Sequence, residues 1–360
     1  MKRRLLIDLE RMRYPNSGIA TVFRNLAKGL ATIENKNRLE ISLFGPEEAL
    51  TTIDTKFTIV NRRPFHKFVR FYSRSYGIVH TSHQLSSYFH HKFSKQKKIV
   101  TLHDLNFLHE GFSAKKQRRK LLIVKKNLRN ADVIVCISDF TKQDLLANMH
   151  LFSFKKAPEI CVIYNGLQFP EVKTYELGRF DYLRDKKYIL NIGVLFPKKN
   201  QLSIIKMLPF IEEDLVIVAS GTKESYHQVV LEEIERLGLK ERVHIMSHIS
   251  EEEKCALLQN CAAMCHPSLA EGFGIPPIEA MSFGKPVFLS KLTSLPEIGG
   301  TVANFFSSFE TEHMVAVYQE GMKQYYTDSA TNSEALKAWS SKFDYLEMAG
   351  NYLKLYKKLV

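Results

Sequence analysis

The chain is predicted to be an α/β protein of two parallel-sheet lobes, and three observations carry that prediction. Its 360 residues exceed one ordinary core, and at ~100–200 residues per domain two domains follow. Short apolar runs alternate with helical periodicity along most of the length, which is the rhythm of βαβ units. The charge also divides. Residues 1–175 hold 31 Lys and Arg against 14 Asp and Glu, a balance of +17, whereas residues 176–360 hold 20 against 24, a balance of −4. Such a split points to lobes with different partners, and a basic lobe attracts an anionic surface.

Composition excludes several classes. Apolar residues make up 45% and charged residues 25%, which is globular usage and not that of a disordered chain. No stretch of ~20 apolar residues occurs, so a transmembrane helix is not expected. The start has only Leu5 to Ile7 before Asp8, too short an apolar region for a signal peptide, so export is not expected. Five thinly spread cysteines do not make a disulfide framework, and a reducing cytoplasm is the expected compartment. The spacing of Cys255, Cys261 and Cys265 matches no common zinc site, so they read as small buried apolar residues.

In order, the first strand run is Leu5–Leu9, followed by a polar turn, Tyr14 to Ser17. Gly18 then opens a helix with Val22, Phe23, Leu26 and Leu30 on one side. Strand runs follow at Leu39–Phe44, Ile78–Thr81, Ile99–Leu102 and Val133–Ile137, and Ser138-Asp139 is a helix start. The second half repeats the rhythm with strand runs Tyr188–Ile192, Leu215–Ala219, Val243–Met246, Ala262–His266 and Val287–Leu289. Helical patterns lie at Gln201–Leu208, His227–Leu237 and Glu251–Leu258. The joint is placed in the polar stretch Pro170 to Arg184. The last 20 residues read as one amphipathic helix with Tyr345, Met348, Tyr352, Leu353 and Tyr356 on its apolar side. The domains expected are therefore residues 1–175, residues 176–338 and a C-terminal helix, 339–360, packed on the first.

Ligands of parallel sheets sit at the carboxyl ends of strands, where helix N-termini point. The segment HPSLAEGFGIPPIEAMSFGKPVFLSKLTSLPE, residues 266–297, carries Glu271 and Glu279 around Gly272, Phe273 and Gly274. Glycines beside an aromatic let backbone N–H groups approach a ligand. Pro276-Pro277 fits a first helical turn, which puts Glu271 on the loop and Glu279 on the helix. In NIGVLFPKKNQL, residues 191–202, Lys198, Lys199 and Asn200 are expected to open a helix. Cations there oppose the helix dipole unless they face a bound anion such as a diphosphate. His103 and Asp104 follow a strand in the first lobe, and Ser17-Gly18 follows another. The histidines His80, His83, His90 and His91 read as surface or acceptor-loop residues rather than a metal site. No D-x-D pair occurs, so no paired-Asp metal site is read.

The Glu271…Glu279 spacing around GFG, followed by EAM, GKPV and SLPE, resembles the donor-site signature of the large retaining nucleotide-sugar glycosyltransferase family, family 4. Weaker likenesses run along nearly the whole chain in the family's order: VCISDFTKQDLL (135–146), VIYNGL (162–167) and SHISEEEKCALL (247–258). The resemblance implies the GT-B fold, two facing Rossmann-like lobes with a C-terminal helix crossing back to the first. It implies that Glu279 binds the ribose hydroxyls, that Glu271 lies against the donor sugar, and that the loop Gly272, Phe273, Gly274 and Ile275 holds sugar hydroxyls or phosphate. It puts Lys199 on the β-phosphate. Val194 stands where many members carry Arg, so Lys198 is the substitute second cation. His103 is expected near the donor sugar, Gly18 near the donor phosphates and the backbone of Ile249 at the nucleobase.

The expected activity is transfer of a hexose from a UDP- or GDP-sugar to a glycan or glycolipid hydroxyl with an α-linkage, in cell-surface polysaccharide or lipopolysaccharide synthesis. GFGIP recurs among the family's mannosyltransferases and favours GDP-mannose. No cofactor and no metal ion is expected, the nucleotide-sugar being a substrate. Partners are the donor, the acceptor and an anionic membrane surface met by the runs KKQRRK (115–120) and Lys125-Lys126. Nucleic acid is not expected, and the location is cytoplasmic, peripheral on the inner face of the membrane. The competing readings are a nucleotide-sugar epimerase or phosphorylase of related fold and a non-enzymatic polyanion-binding protein.

Overall fold

The structure, a computed structural model, describes residues 4–14, 17–33, 39–53, 56–69, 71–109 and 111–360. The chain divides into two units, Met1–Gln168 with Phe343–Val360 and Phe169–Lys342. The first division therefore falls ahead of the expected 175/176, and the second falls after the expected 338/339. Part of the turn expected at Tyr14 to Ser17 lies outside the described residues.

The first unit is built on seven strands: β1 Arg4–Asp8, β2 Glu40–Gly45, β3 Thr58–Asn61, β4 Ile78–Thr81, β5 Lys97–Leu102, β6 Val133–Cys136 and β7 Glu159–Val162. They pair in parallel in the order β3-β2-β1-β4-β5-β6-β7. The central runs are buried on both faces, which is why they read as unbroken apolar stretches. Ser17 caps the helix Gly18–Thr32, its Oγ accepting from Ala20 N at 3.3 Å. That helix buries Val22, Phe23, Leu26 and Leu30, as its period predicts.

The chain returns to this unit through the helix Tyr345–Leu359, which Asp344 caps by accepting from Leu346 N at 2.7 Å. A 3-10 turn, Ser341–Phe343, precedes it, so the helix expected over the last 20 residues begins only at Tyr345. The returning helix lies on Gly18–Thr32 closely enough that a Cβ at Gly29 would sit 2.6 Å from Ala349 Cβ. It also plugs into the sheet. His80 meets Tyr356 Oη at 2.7 Å through Nδ1 and Thr101 Oγ1 at 2.7 Å through Nε2, and Tyr352 Oη meets Thr101 at 3.1 Å. Here the structure corrects a sequence expectation. His80 and His83 are buried, not surface residues, His80 because β4 is central in its sheet and His83 in the segment that follows it; burial pushes His80 down to about 3, so it stays neutral.

The second unit holds β8 Tyr188–Leu195, β9 Asp214–Thr222, β10 Val243–Met246, β11 Ala263–His266, β12 Val287–Ser290 and β13 Asn304–Phe306. All pair in parallel, in the order β10-β9-β8-β11-β12-β13. Its core gathers Ile189, Leu215, Ile217, Phe288, Phe306 and Tyr318. The strand order reverses between β8 and β11, and a crevice opens at such a switch point beyond the strand carboxyl ends. The equivalent reversal in the first unit lies between β1 and β4. Cys136, Cys255, Cys261 and Cys265 are buried and Cys161 is half-buried, all as free thiols.

Candidate active site

Lys198 and Lys199 leave β8, and Glu271 leaves β11, so the two sides of the second switch point supply the charged residues. The lysines do not sit on the α-helix that follows. Pro197–Lys199 is a single 3-10 turn, Asn200 takes a left-handed φ of 56°, and the helix begins at Gln201. Asn tolerates that conformation better than most residues, and the kink ends the turn before the helix dipole starts. Lys199 folds back over Gly193, whose missing side chain leaves room: a Cβ there would lie 3.6 Å from Lys199 Cε. The carbonyl of Lys198 accepts from Leu269 N at 2.7 Å and ties the two loops together.

Lys199 Nζ pairs directly with Glu271 Oε1. His266 Nε2 donates to the same oxygen at 2.6 Å. Burial opposes a charge on Glu271, but the Lys199 ammonium and then the His266 N–H outweigh it and hold the carboxyl well below the usual carboxylate range. Burial lowers His266 despite its acidic neighbour, so the ring is neutral. With its proton on Nε2, the buried Nδ1 is left without a partner. Unpartnered buried atoms recur on the adjoining segments: Asn191 Oδ1, Asn200 Nδ2, Gln201 Oε1 and Ser268 Oγ. Such atoms are costly unless a ligand or water completes them.

The GFG loop is pinned from behind. Glu271 N donates to Thr293 Oγ1 at 3.0 Å, and Ser294 Oγ donates to the carbonyl of Phe273 at 2.8 Å. Gly274 has φ +111°, and a Cβ there would lie 2.9 Å from Leu295, so only glycine fits the bend that starts the helix Ile275–Ser282. Phe273 is buried, and Gly272 and Ile275 are half-buried. Glu279 lies in the middle of that helix and accepts from Lys254 Nζ at 2.8 Å. Burial raises the Glu279 carboxyl and outweighs the lysine. Burial works against the charge on Lys254 too, but Glu279 and Glu251 prevail and hold its ammonium above the ordinary range. Ile249 is half-buried in the loop before Ser250, which caps the helix Glu251–Asn260 carrying Lys254.

Two expected residues belong to the first unit. Gly18 is the first residue of its helix. His103 follows β5 and is buried, its Nε2 donating to the carbonyl of Ser82 at 2.8 Å. Burial pushes His103 down to about 4, with the Ser82 carbonyl opposing and Arg11 assisting, so it is a neutral imidazole at pH 7. Sequence reasoning missed His266 and Lys254 as partners of the glutamates. His266 ends a strand run facing the switch point, which was a usable signal; Lys254 carried none.

Comparison with known proteins agrees with this layout. The family model described as "Glycosyl transferases group 1" matches residues 179–329, and "Glycosyltransferase Family 4" matches residues 16–168. The O-antigen chain mannosyltransferase RfbU of Salmonella typhimurium is 27% identical over 208 residues, 56% of this chain and 54% of that protein. The serotype-specific mannosyltransferase WbdA of Escherichia coli is 26% identical over 234 residues, 61% of this chain and 28% of that protein. The chain thus spans about half or less of the length of these relatives. Among solved structures, Anabaena HepE in complex with UDP and glucose aligns with TM-score 0.73 at 18% identity, over 99% of both chains. WaaG, a glycosyltransferase involved in lipopolysaccharide biosynthesis, aligns with TM-score 0.68 at 12% identity, over 98% of this chain and 99% of that one. These likenesses show the GT-B fold, and with the two family models placed end to end over both units, the chain belongs to the family 4 glycosyltransferases.

Proposed function

We propose that the chain is a retaining hexosyltransferase that moves a sugar from a nucleotide diphosphate donor, GDP-mannose by preference, to a hydroxyl of a glycan or glycolipid in O-antigen or related polysaccharide synthesis. One observation carries this reading: Lys199 and Glu271 meet at the switch point of the second sheet. The names of the curated relatives support mannose and O-antigen, while HepE with UDP keeps a UDP-sugar as the second donor.

In this reading Glu279 accepts from the ribose hydroxyls, and the N-terminus of the helix Ile275–Ser282 faces the diphosphate. Lys199 stabilises the charge that develops on the departing β-phosphate, the step where preorganised cations contribute most. Lys198 is the second cation. Glu271 and the loop Gly272, Phe273, Gly274 and Ile275 hold the donor sugar, and Ile249 offers backbone to the base. His103 and Gly18 keep the roles the resemblance implies, at the donor sugar and its phosphates. The acceptor hydroxyl attacks from the face of the leaving group and its proton passes to the phosphate, with no metal ion required. Attachment to the cytoplasmic face of an anionic membrane is part of the same reading. Among the described residues no helix is long and apolar enough to cross a membrane.

A thermal-shift screen of GDP-, UDP- and ADP-sugars in EDTA tests this. A donor at 100 times its Kd adds ~2.7 kcal/mol to stability, and GDP-mannose is expected to give the largest rise. No shift with any nucleotide-sugar overturns the reading, and a shift that needs added divalent metal overturns its metal-free part.

A further inference from the structure

The first unit carries a face that the donor reading does not use. Residues 55–103 contain ten Lys and Arg and no Asp or Glu, and residues 111–131 contain eight and none. Between β3 and β4 the first stretch forms two short turns, Pro64–Lys67 and Phe71–Ser73. Inward side chains fasten it to the sheet: the His66 ring lies 5.5 Å from Phe44 and 4.3 Å from Tyr72, and Tyr72 stacks on Phe44 at 5.5 Å. The outward side chains are apolar, with Phe65 50%, Phe68 83% and Phe71 72% exposed. Single exposed apolar residues need no explanation, but three phenylalanines on one short segment, beside exposed Arg63, Lys67 and Arg74, do.

The helix Ala114–Leu128 continues the face. Lys115, Lys116, Arg118, Arg119 and Lys126 are exposed on it, with Leu122 58% exposed among them. A cavity of about 410 Å³ joins the two elements, lined by Lys67 and Phe68 from the turns, Ser87, His90 and His91 from the segment after β4, and Lys126 from the helix. His90 on its wall is pushed down to about 4, first by burial and then by Lys98 and Lys126.

We propose that this face docks on an anionic bilayer, with Phe65, Phe68 and Phe71 entering the headgroup region and the cavity between Lys67 and Lys126 taking one lipid phosphate headgroup. This deepens the membrane part of the proposed function and rests on it. Charge complementarity selects a phosphate-bearing partner, since the two stretches hold no acid. Exposed Val69 beside the aromatics and exposed Leu122 among the helix cations select a bilayer over a single-stranded nucleic acid, because neither offers a stacking face to a base. The aromatic anchors supply the part of the binding that salt does not screen, and the cations supply the part that it does.

The test is co-sedimentation of the full chain with vesicles of phosphatidylcholine alone and of phosphatidylcholine enriched in phosphatidylglycerol. The wild type is expected to bind only the second. Phe68→Ser with Phe71→Ser is expected to weaken that binding by ~10-fold, with the remainder abolished by salt, and Lys67→Glu with Lys126→Glu to weaken it at least as much. A Phe68→Trp chain is expected to show blue-shifted emission on the anionic vesicles. Wild-type partitioning by the phenylalanine variant, or an unshifted Phe68→Trp spectrum, overturns the insertion while leaving charge-driven attachment. No binding of the wild type to anionic vesicles overturns both. Binding to single-stranded RNA as tight as to vesicles overturns the choice of partner. Donor thermal shifts on the same variants separate all these failures from a failure of the donor reading.

Discussion

Removal of the Lys199 side chain should reveal how the second unit balances its charges. Lys199 and Glu271 are 14% and 12% exposed, so the pair is nearly desolvated. Truncating one partner of such a pair costs ~3–5 kcal/mol, because the other charge stays buried alone. Two features put Lys199→Ala at the lower end: His266 still donates to the carboxylate at 2.6 Å, and some water reaches the site. A loss of ~3 kcal/mol corresponds to roughly 6–12 °C in Tm for a unit of this size. The pH dependence has a definite sign. The folded-state carboxyl of Glu271 is depressed from its ordinary 4.5. Its contribution is therefore present above that value and lost as pH falls through the folded one. The gap between wild type and Lys199→Ala should be full at pH 6 to 8 and narrow below pH 4. Adding Glu271→Gln should recover much of the loss, since no buried charge is then left unpaired. Melting of wild type, Lys199→Ala, Glu271→Gln and the double variant at several pH values, read by near-ultraviolet circular dichroism, decides it. A single variant within 1 °C of wild type at pH 7, or a double variant whose loss is the sum of the two single ones, refutes the reasoning. Turnover of Lys199→Ala below its melting range should fall by ~10²-fold if the ammonium also carries the leaving group.

Two further outcomes follow from groups on either unit. Glu279→Ala should weaken GDP or UDP binding by ~10–100-fold, the worth of one or two hydrogen bonds to a charged group; titration calorimetry showing unchanged affinity would remove its assigned role. Burial, helped by Glu10 and opposed by hydrogen bonds from Glu10 N and Ser86, raises Asp8 to about 7. The folded state therefore keeps a proton that the unfolded state sheds near pH 4. Stability should fall as pH rises from 4 to 7, by up to ~1.4 kcal/mol per pH unit. Asp8→Asn should flatten that slope in urea unfolding, and an identical slope in both chains would count against it.

Most of the architecture was legible because parallel strands covered on both faces are continuous apolar runs. The strands not anticipated are all at sheet edges or next to them in burial: β3 (TIVN), β7 (EICV) and β13 (NFF) are short and half-exposed. The site was legible where a backbone constraint leaves a residue signature, as at Gly274 and Pro276-Pro277. It was not legible where contact joins distant positions. Nothing near Lys254 in sequence announces Glu279, and nothing near Lys199 announces that it rests on Glu271. PKKNQL read as one helix start because an Asn in a left-handed conformation has no pattern of its own. The return of the chain to the first unit depends on close approaches at Gly29 and Gly166, where a Cβ would meet Ala349 and Tyr345 at 2.6 Å.

The two glutamates begin from opposite electrostatic positions, and the difference bears on what each can do. Both are largely withdrawn from solvent, with side chains 12% and 20% exposed, and both face a lysine, yet Glu271 is held ionised while Glu279 is raised. Glu271 receives a second donor in His266, whereas Lys254 is shared, meeting Glu251 at 2.7 Å as well as Glu279 at 2.8 Å. If Glu279 binds ribose as proposed, a ribose that displaces Lys254 from it does not strand the ammonium, which keeps Glu251. The exchange replaces one hydrogen bond to the carboxylate with two from vicinal hydroxyls, and it costs little desolvation because the lysine never loses its counterion. Lys199 is already bound to Glu271, so under the proposed function an incoming diphosphate adds a second anion to it and is met by sharing, not by exchange. That arrangement keeps Lys199 fixed in place before the donor arrives, which is the condition under which a cation stabilises developing charge without reorganising.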